Sequence, residues 1–118
     1  MHQTEIERLL NTPEEDLFER LGVSDIPALQ GVGGDRFTYI EMGRRRLEEK
    51  RQQICDKLKQ SQLICDFVKG RRICDRVELV SATADIISTI LGGLPVLAAS
   101  TLIVKRGFIE LCGEKCFD

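Results

Sequence analysis

An uncharged apolar stretch at positions 86–104 constrains the fold of this 118-residue chain more than any other feature. Its mean hydropathy is roughly 2 and Lys105-Arg106 closes it, both of which are typical of a transmembrane candidate. However, a Gly-Gly-Leu-Pro sequence at positions 92–95 divides the stretch into pieces too short to cross a bilayer. The stretch therefore favours two antiparallel helices that pack as a hairpin in a soluble core, with membrane contact as the alternative.

Apolar stripes continue at helical spacing on both sides of this break. The first predicts one helix with a wide apolar face, because its members alternate spacings of four and three. They are Ile73, Val77, Val80, Ala84, Ile87 and Leu91. A last helix is expected to run to about Cys112, with Leu97, Thr101, Val104, Phe108 and Leu111 on one face. Since no segment alternates with a period of two, we predict an all-α fold, a small helical bundle.

A long basic amphipathic helix is predicted in the middle of the chain. Asp35 or Thr38 is suited to cap its start. A narrow apolar seam follows, formed by Ile40, Leu47, Ile54 and Leu58. The rest of the surface is mostly Arg, Lys, Glu and Gln, so we expect this helix to pack on one side only. A second, shorter apolar face at positions 63–68 ends at Gly70.

Charge divides the chain into three parts. Residues 1–35 carry two basic and eight acidic residues, residues 36–76 carry twelve and six, and residues 77–118 carry three and five. In the first part, helices are predicted over 4–10 and from Pro13 to a stop at Gly22. We therefore expect one domain, 1–118, with five segments. These are an acidic helical arm (1–21), a glycine-rich connector (22–35), a basic helical segment (36–70), an apolar helical hairpin (71–112) and a tail (113–118).

The chain has five cysteines and no recognisable secretory signal, so we expect free thiols in a reducing cytoplasm. Cys112 is expected in the core and Cys116 in the tail. Their four-residue spacing lacks the paired-cysteine pattern of zinc and redox sites, and no metal site is predicted. The tripeptide Ile-Cys-Asp begins at positions 54, 64 and 73. We interpret this as coincidence, although three helical segments with breaks near Ser61 and Gly70 also fit.

No catalytic or cofactor-binding arrangement is recognisable. The one histidine, His2, lies beside the terminus, and no nucleophile motif is present. The glycine-rich positions 31–34 do not form a phosphate loop, because no strand precedes them. We therefore expect a protein that is not an enzyme and that needs no cofactor.

The function that we predict is that of a helical adaptor or small subunit that binds a protein partner or a second copy of itself. We predict contact residues on the basic helix and on the acidic arm. They are Arg44, Arg45, Lys50, Arg51, Glu14, Glu15 and Glu19. The acidic arm also has the charge to lie on the basic helix of its own chain or of a neighbour.

Two other functions stay open at this point. A small membrane effector or anchor would insert the hairpin at positions 77–112 into lipid. A nucleic-acid-binding protein would use the basic region 36–76, but six interspersed acidic residues and the scarcity of aromatic residues there disfavour this.

Overall fold

The computed structural model describes residues 3–23 and 35–113, which fold into seven α-helices and no β-strand. The helices are α1 (Gln3–Leu10), α2 (Glu14–Val23), α3 (Arg36–Leu58), α4 (Gln62–Val68), α5 (Arg76–Ile87), α6 (Val96–Arg106) and α7 (Phe108–Cys112). The predicted all-α bundle, with a long basic amphipathic helix and a C-terminal antiparallel hairpin, is confirmed. Most of the predicted connector (24–34) and tail (114–118, with Cys116) lies outside the described residues, as does His2.

The long helix α3 begins at the expected place and buries the expected seam. The Asp35 side chain accepts a hydrogen bond of 2.8 Å from the backbone N–H of Thr38, so Asp35 is the N-cap. The helix then runs for 23 residues, a length of about 34 Å. Its four seam residues are at most 6% exposed. Charged side chains form most of the remaining surface, so α3 packs on one side only.

Helices α2 and α3 cross with their backbones in direct contact. A Cβ atom added at Gly43 would overlap the carbonyl oxygen of Phe18, and one added at Gly22 would overlap that of Tyr39. At each of these two contacts, a glycine of one helix lies against the backbone of the other. A residue with a Cβ atom would prevent the two backbones from coming this close. The predicted helix stop at Gly22 is wrong, because α2 continues to Val23 and Gly22 is buried at this crossing.

The hairpin of α5 and α6 forms the centre of the core. The chain turns through Gly92, whose φ is 65°, and α6 begins directly after Pro95. Ile87 on α5 and Leu102 and Ile103 on α6 are at most 1% exposed. Helices α1 and α2 pack on α6, and α1 and α3 pack on α5. The acidic arm and α3 thus cover the apolar faces of the hairpin. Within residues 3–23 and 35–113, no helix combines the length and apolarity needed to cross a membrane.

The apolar stripe wrongly places Ile73 on the first hairpin helix. Helix α5 begins only at Arg76, because the Asp75 side chain accepts a hydrogen bond of 2.8 Å from the backbone N–H of Glu78 and caps the helix. Ile73 is left in the connection between α4 and α5, where it is 98% exposed.

The predicted last helix is in fact two helices. Gly107 adopts a φ of 101°, which is outside the helical region, so α6 ends at Arg106 and the five-residue α7 begins at Phe108. Phe108 remains buried and meets the ring of Phe67 on α4 edge to face, with ring centroids 6.2 Å apart. The break thus turns the end of the chain toward α3 and α4.

A disulfide joins Cys55 on α3 to Cys112 on α7, with the two Cα atoms 5.6 Å apart. The prediction of free thiols is therefore wrong for this pair. The two residues are separated by 57 positions, and α7 packs on α3 after the break at Gly107. Cys65 and Cys74 carry free thiols.

The three Ile-Cys-Asp tripeptides lie in different surroundings. Ile54 and Ile64 are buried in α3 and α4, whereas Ile73 is exposed outside any helix. The helical breaks near Ser61 and Gly70 are present. The three copies share no common structural position.

Candidate protein-contact site on α3

The seven predicted contact residues lie on two neighbouring helices. The four basic residues are on α3 and the three acidic residues are on α2, and these helices share the largest helix–helix contact among the described residues. The structure therefore places the two sets on adjacent helices, but among the described residues no ion pair joins one set to the other. The ion pairs that each residue forms show which charges are left for a partner.

The acidic residues of α2 are paired within the chain. Arg36, at the start of α3, lies 3.8 Å from Glu15 and 3.2 Å from Glu19, and it also binds Asp16. Its hydrogen bond to Asp16, followed by the one to Glu19, raises the pKa of the Arg36 guanidinium. Arg36 was not among the predicted site residues, and it holds the acidic arm to α3.

The third predicted acid, Glu14, pairs with the end of α6. Its Oε1 atom accepts a hydrogen bond of 3.1 Å from Nε of Arg106. The neighbouring Lys105 ammonium donates a hydrogen bond to the backbone carbonyl of Thr12. The start of α2 thus contacts the end of α6, and the carboxylate of Glu14 already forms an ion pair within the chain.

The basic residues of α3 divide into two groups. Arg44 lies 4.0 Å from Glu41, and Arg51 donates a hydrogen bond of 3.3 Å to Glu48, so both have carboxylates of the same helix beside them. Within the described ranges, no carboxylate lies within ion-pairing distance of Arg45 or Lys50. Of the predicted contact residues, these two cations are the ones that form no ion pair within residues 3–23 and 35–113.

A cavity of about 320 Å³ opens beside Arg45 between α2, α3 and the C-terminal helices. Its lining consists of Phe18, Glu41, Arg44, Arg45, Leu47, Glu48, Arg106 and Leu111. The centroid of the Phe18 ring lies within cation–π distance of two guanidinium groups, 4.7 Å from that of Arg44 and 5.3 Å from that of Arg106. The cavity combines apolar side chains with a rim of three arginines and two glutamates, and arginine and aromatic groups are enriched at protein contacts.

The sequence reasoning missed the cavity residues that lie outside α3. Phe18 was expected on the apolar side of α2, but nothing in the sequence places it beneath Arg44. Arg106 and Leu111 reach the site because Gly107 breaks the last helix between them. A clue existed in the Lys105-Arg106 pair that closes the apolar stretch, since cations favour the C-terminal end of a helix.

The described residues hold no group of three or more His, Cys, Asp and Glu side chains arranged to bind a metal ion. Comparison with protein families, with curated proteins and with solved structures found no match to this chain. A function for this chain is therefore inferred from the positions and charges of its own residues.

Proposed function

We propose that this chain is a non-enzymatic helical adaptor or small subunit that binds an acidic protein surface through the cations Arg45 and Lys50 of α3. The observation that carries the proposal is the uneven pairing of charge. Glu15 and Glu19 of the acidic arm pair with Arg36, and Glu14 pairs with Arg106. Among the described residues, no carboxylate lies within ion-pairing distance of Arg45 or Lys50. A protein carboxylate is the natural counter-ion for cations presented in this way.

The cavity beside Arg45 could receive an apolar side chain of the partner protein. Leu47 and Phe18 are buried beside it, and Arg44 and Arg45 stand at its edge. An acidic segment with one apolar side chain would pair with the cations and place that side chain against Leu47 and Phe18. This matches the usual anatomy of protein contacts, in which a small apolar centre is surrounded by polar groups.

Charge reversal on α3 tests the proposal. The variant Arg45→Glu with Lys50→Glu is compared with the wild type and with a control, Lys69→Glu with Arg71→Glu, that changes the net charge equally. Immobilised chains are exposed to an extract of native host cells, and sedimentation velocity reports self-association. We expect the wild type and the control to retain the same partner or form the same oligomer, and the α3 variant to lose it.

Equal retention by all three proteins would contradict the proposal, as would a wild-type chain that neither retains a protein nor self-associates. Circular dichroism must show the same helical signal for each variant. Since Arg45 and Lys50 form no ion pair within the described chain, their reversal removes no stabilising pair.

The two other functions would require different behaviour from the same residues. Insertion of the 77–112 hairpin into a membrane would require side chains such as Leu102 and Ile103 to leave the core. Nucleic-acid binding through 36–76 would give an affinity that falls steeply with salt, and its cations would have to compete with the glutamates between them. We keep both as alternatives to the adaptor.

A cytoplasmic location is part of the proposal, and the Cys55–Cys112 disulfide gives it a direct test. Stable disulfides are rare in the cytosol of most organisms. Alkylation of thiols in freshly lysed native cells, followed by mass spectrometry, measures the fraction of this pair that is oxidised. Recovery of a fully oxidised pair would contradict a reducing cytoplasm.

A further inference from the structure

The connection between α4 and α5 carries an exposed apolar side chain among cations. We call residues 69–76 the basic connector. Ile73 stands near its centre and is 98% exposed, the most exposed large apolar side chain among the described residues. The cations around it are Lys69, Arg71, Arg72 and Arg76, all exposed. Asp75 is the one acidic residue of the segment.

The backbone holds the basic connector in place at both ends. Gly70, with a φ of 77°, donates its N–H to the carbonyl of Phe67 (3.1 Å), and Arg71 donates its N–H to that of Asp66 (2.7 Å). This pair of bonds is the Schellman ending of α4, which depends on a left-handed glycine. At the other end, the Asp75 cap fixes the start of α5. Ile73 is thus presented outward by a defined backbone.

The charges of the connector are largely free to act on a ligand. Arg72 lies 3.9 Å from Glu78, which weakens its field. Lys69, Arg71 and Arg76 have no carboxylate within ion-pairing distance in the part of the chain that the structure describes. The carboxylate of Asp75 is occupied by the N–H of Glu78. The segment therefore presents a net positive charge around one apolar side chain.

We propose that the basic connector docks on an anionic lipid bilayer, with Ile73 inserted among the headgroups and the cations over the lipid phosphates and carboxylates. Basic segments bind anionic membrane surfaces through the summed attraction of their cations. A single protruding apolar side chain suits a bilayer, because lipid adapts to it without a shaped pocket. The basic connector contains neither Arg45 nor Lys50, so the proposal stands independently of the adaptor function.

Vesicle binding tests the charge requirement. Purified protein is mixed with phosphatidylcholine vesicles containing about one third phosphatidylserine, or none, and the bound fraction is measured by flotation. Neutralising Lys69→Gln with Arg71→Gln is expected to lower the partition coefficient about 30-fold, since each cation near such a surface contributes about fivefold. The matched control Arg45→Gln with Lys50→Gln is expected to bind as the wild type does.

Insertion of residue 73 into the bilayer can be measured by tryptophan fluorescence, because the chain contains no tryptophan of its own. Ile73→Trp is expected to shift its fluorescence to shorter wavelength on anionic vesicles and to be quenched by brominated lipid. Phe37→Trp, at a site that is 76% exposed on α3, is expected to show neither change. Ile73→Ser is expected to weaken binding about tenfold through loss of the inserted side chain.

Several results would overturn this proposal. Wild-type protein that stays unbound on anionic vesicles, equal loss of binding in the control pair, or equal responses of the two tryptophans would each do so. Binding of polyglutamate by the connector without binding of vesicles would assign it to an acidic protein and would also overturn the proposal.

Discussion

Replacing Gly43 by alanine tests the backbone contact that holds the acidic arm to α3. The added Cβ atom would overlap the carbonyl oxygen of Phe18 and would lie 2.7 Å from its carbonyl carbon. Both partners are helical backbone, so no side chain is available to swing away. The two helices must separate by about 1 Å, which loosens the packing along their whole contact.

The expected cost follows from two opposing effects. Overpacking of this kind destabilises a protein by about 3 kcal/mol at the upper end of its usual range. Alanine recovers about 1 kcal/mol relative to glycine inside a helix. The free energy of unfolding should therefore fall by about 2 kcal/mol, which corresponds to a melting temperature lower by about 8 °C for a domain of this size.

Urea unfolding followed by circular dichroism measures this change, with Gly93→Ala as the matched control. No atom lies within 4 Å of a Cβ added at Gly93, and this glycine does not have a positive φ. Its replacement is expected to leave stability unchanged or to raise it by about 0.5 kcal/mol. If Gly43→Ala is as stable as the wild type, the backbones of α2 and α3 do not touch and the reasoning fails.

Three further perturbations test other parts of the structure. Cys112→Ser opens a loop of 57 residues and should lower the free energy of unfolding by about 4 kcal/mol in non-reducing urea titrations. With reductant present, the variant and the wild type should be equally stable. A stability difference that persists in reductant would contradict the disulfide. Leu102→Ala, at a fully buried position of α6, should cost about 3 kcal/mol, and a cost near zero in the same titration would place α6 outside the core. Hydrogen bonds from the backbone N–H and then the hydroxyl of Thr38 lower the pKa of Asp35 below its ordinary value of 3.8. The ionised Asp35 side chain therefore contributes its full stabilisation above pH 3.8, and this stabilisation is lost as the pH falls through the lower pKa of the folded state. The difference in unfolding free energy between wild type and Asp35→Asn should therefore shrink on acidification. A difference that is constant with pH would contradict the cap.

The sequence was sufficient to predict the elements whose periodicity is unambiguous. The seam of α3 repeats at helical spacing and is buried, and the Gly-Gly-Leu-Pro break lies between α5 and α6. Helix α5 nevertheless ends at Ile87, so Leu91 lies outside the helix in which the stripe places it. Errors occurred where a local signal competed with the periodicity. Ile73 continues the apolar spacing, but the Asp75 cap starts α5 after it. Likewise, Gly107 interrupts a stripe that looks continuous from Leu97 to Leu111.

The candidate site was predicted only in part, because its members meet through long-range packing. Local spacing identified Arg45 and Lys50 as cations of a one-sided helix, of which Arg45 is exposed and Lys50 is half-buried. It did not indicate that Arg36 and Arg106 pair with acidic residues of α2, since these contacts depend on how α2 packs on α3 and α6. The Gly22–Gly43 approach and the Cys55–Cys112 disulfide are equally non-local, and neither has a sequence pattern that specifies its partner.

The central claim is that the acidic arm, α3 and the apolar hairpin form one body, which leaves the cations of α3 rather than the arm for a partner. Native-state hydrogen exchange tests this most directly, because it measures the opening free energy of each helix separately. We expect the central amides of α2, α3, α5 and α6 to exchange with one common free energy, equal to that of global unfolding. If the amides of α2 open at much lower free energy than those of α5 and α6, the arm is detachable and the account is wrong.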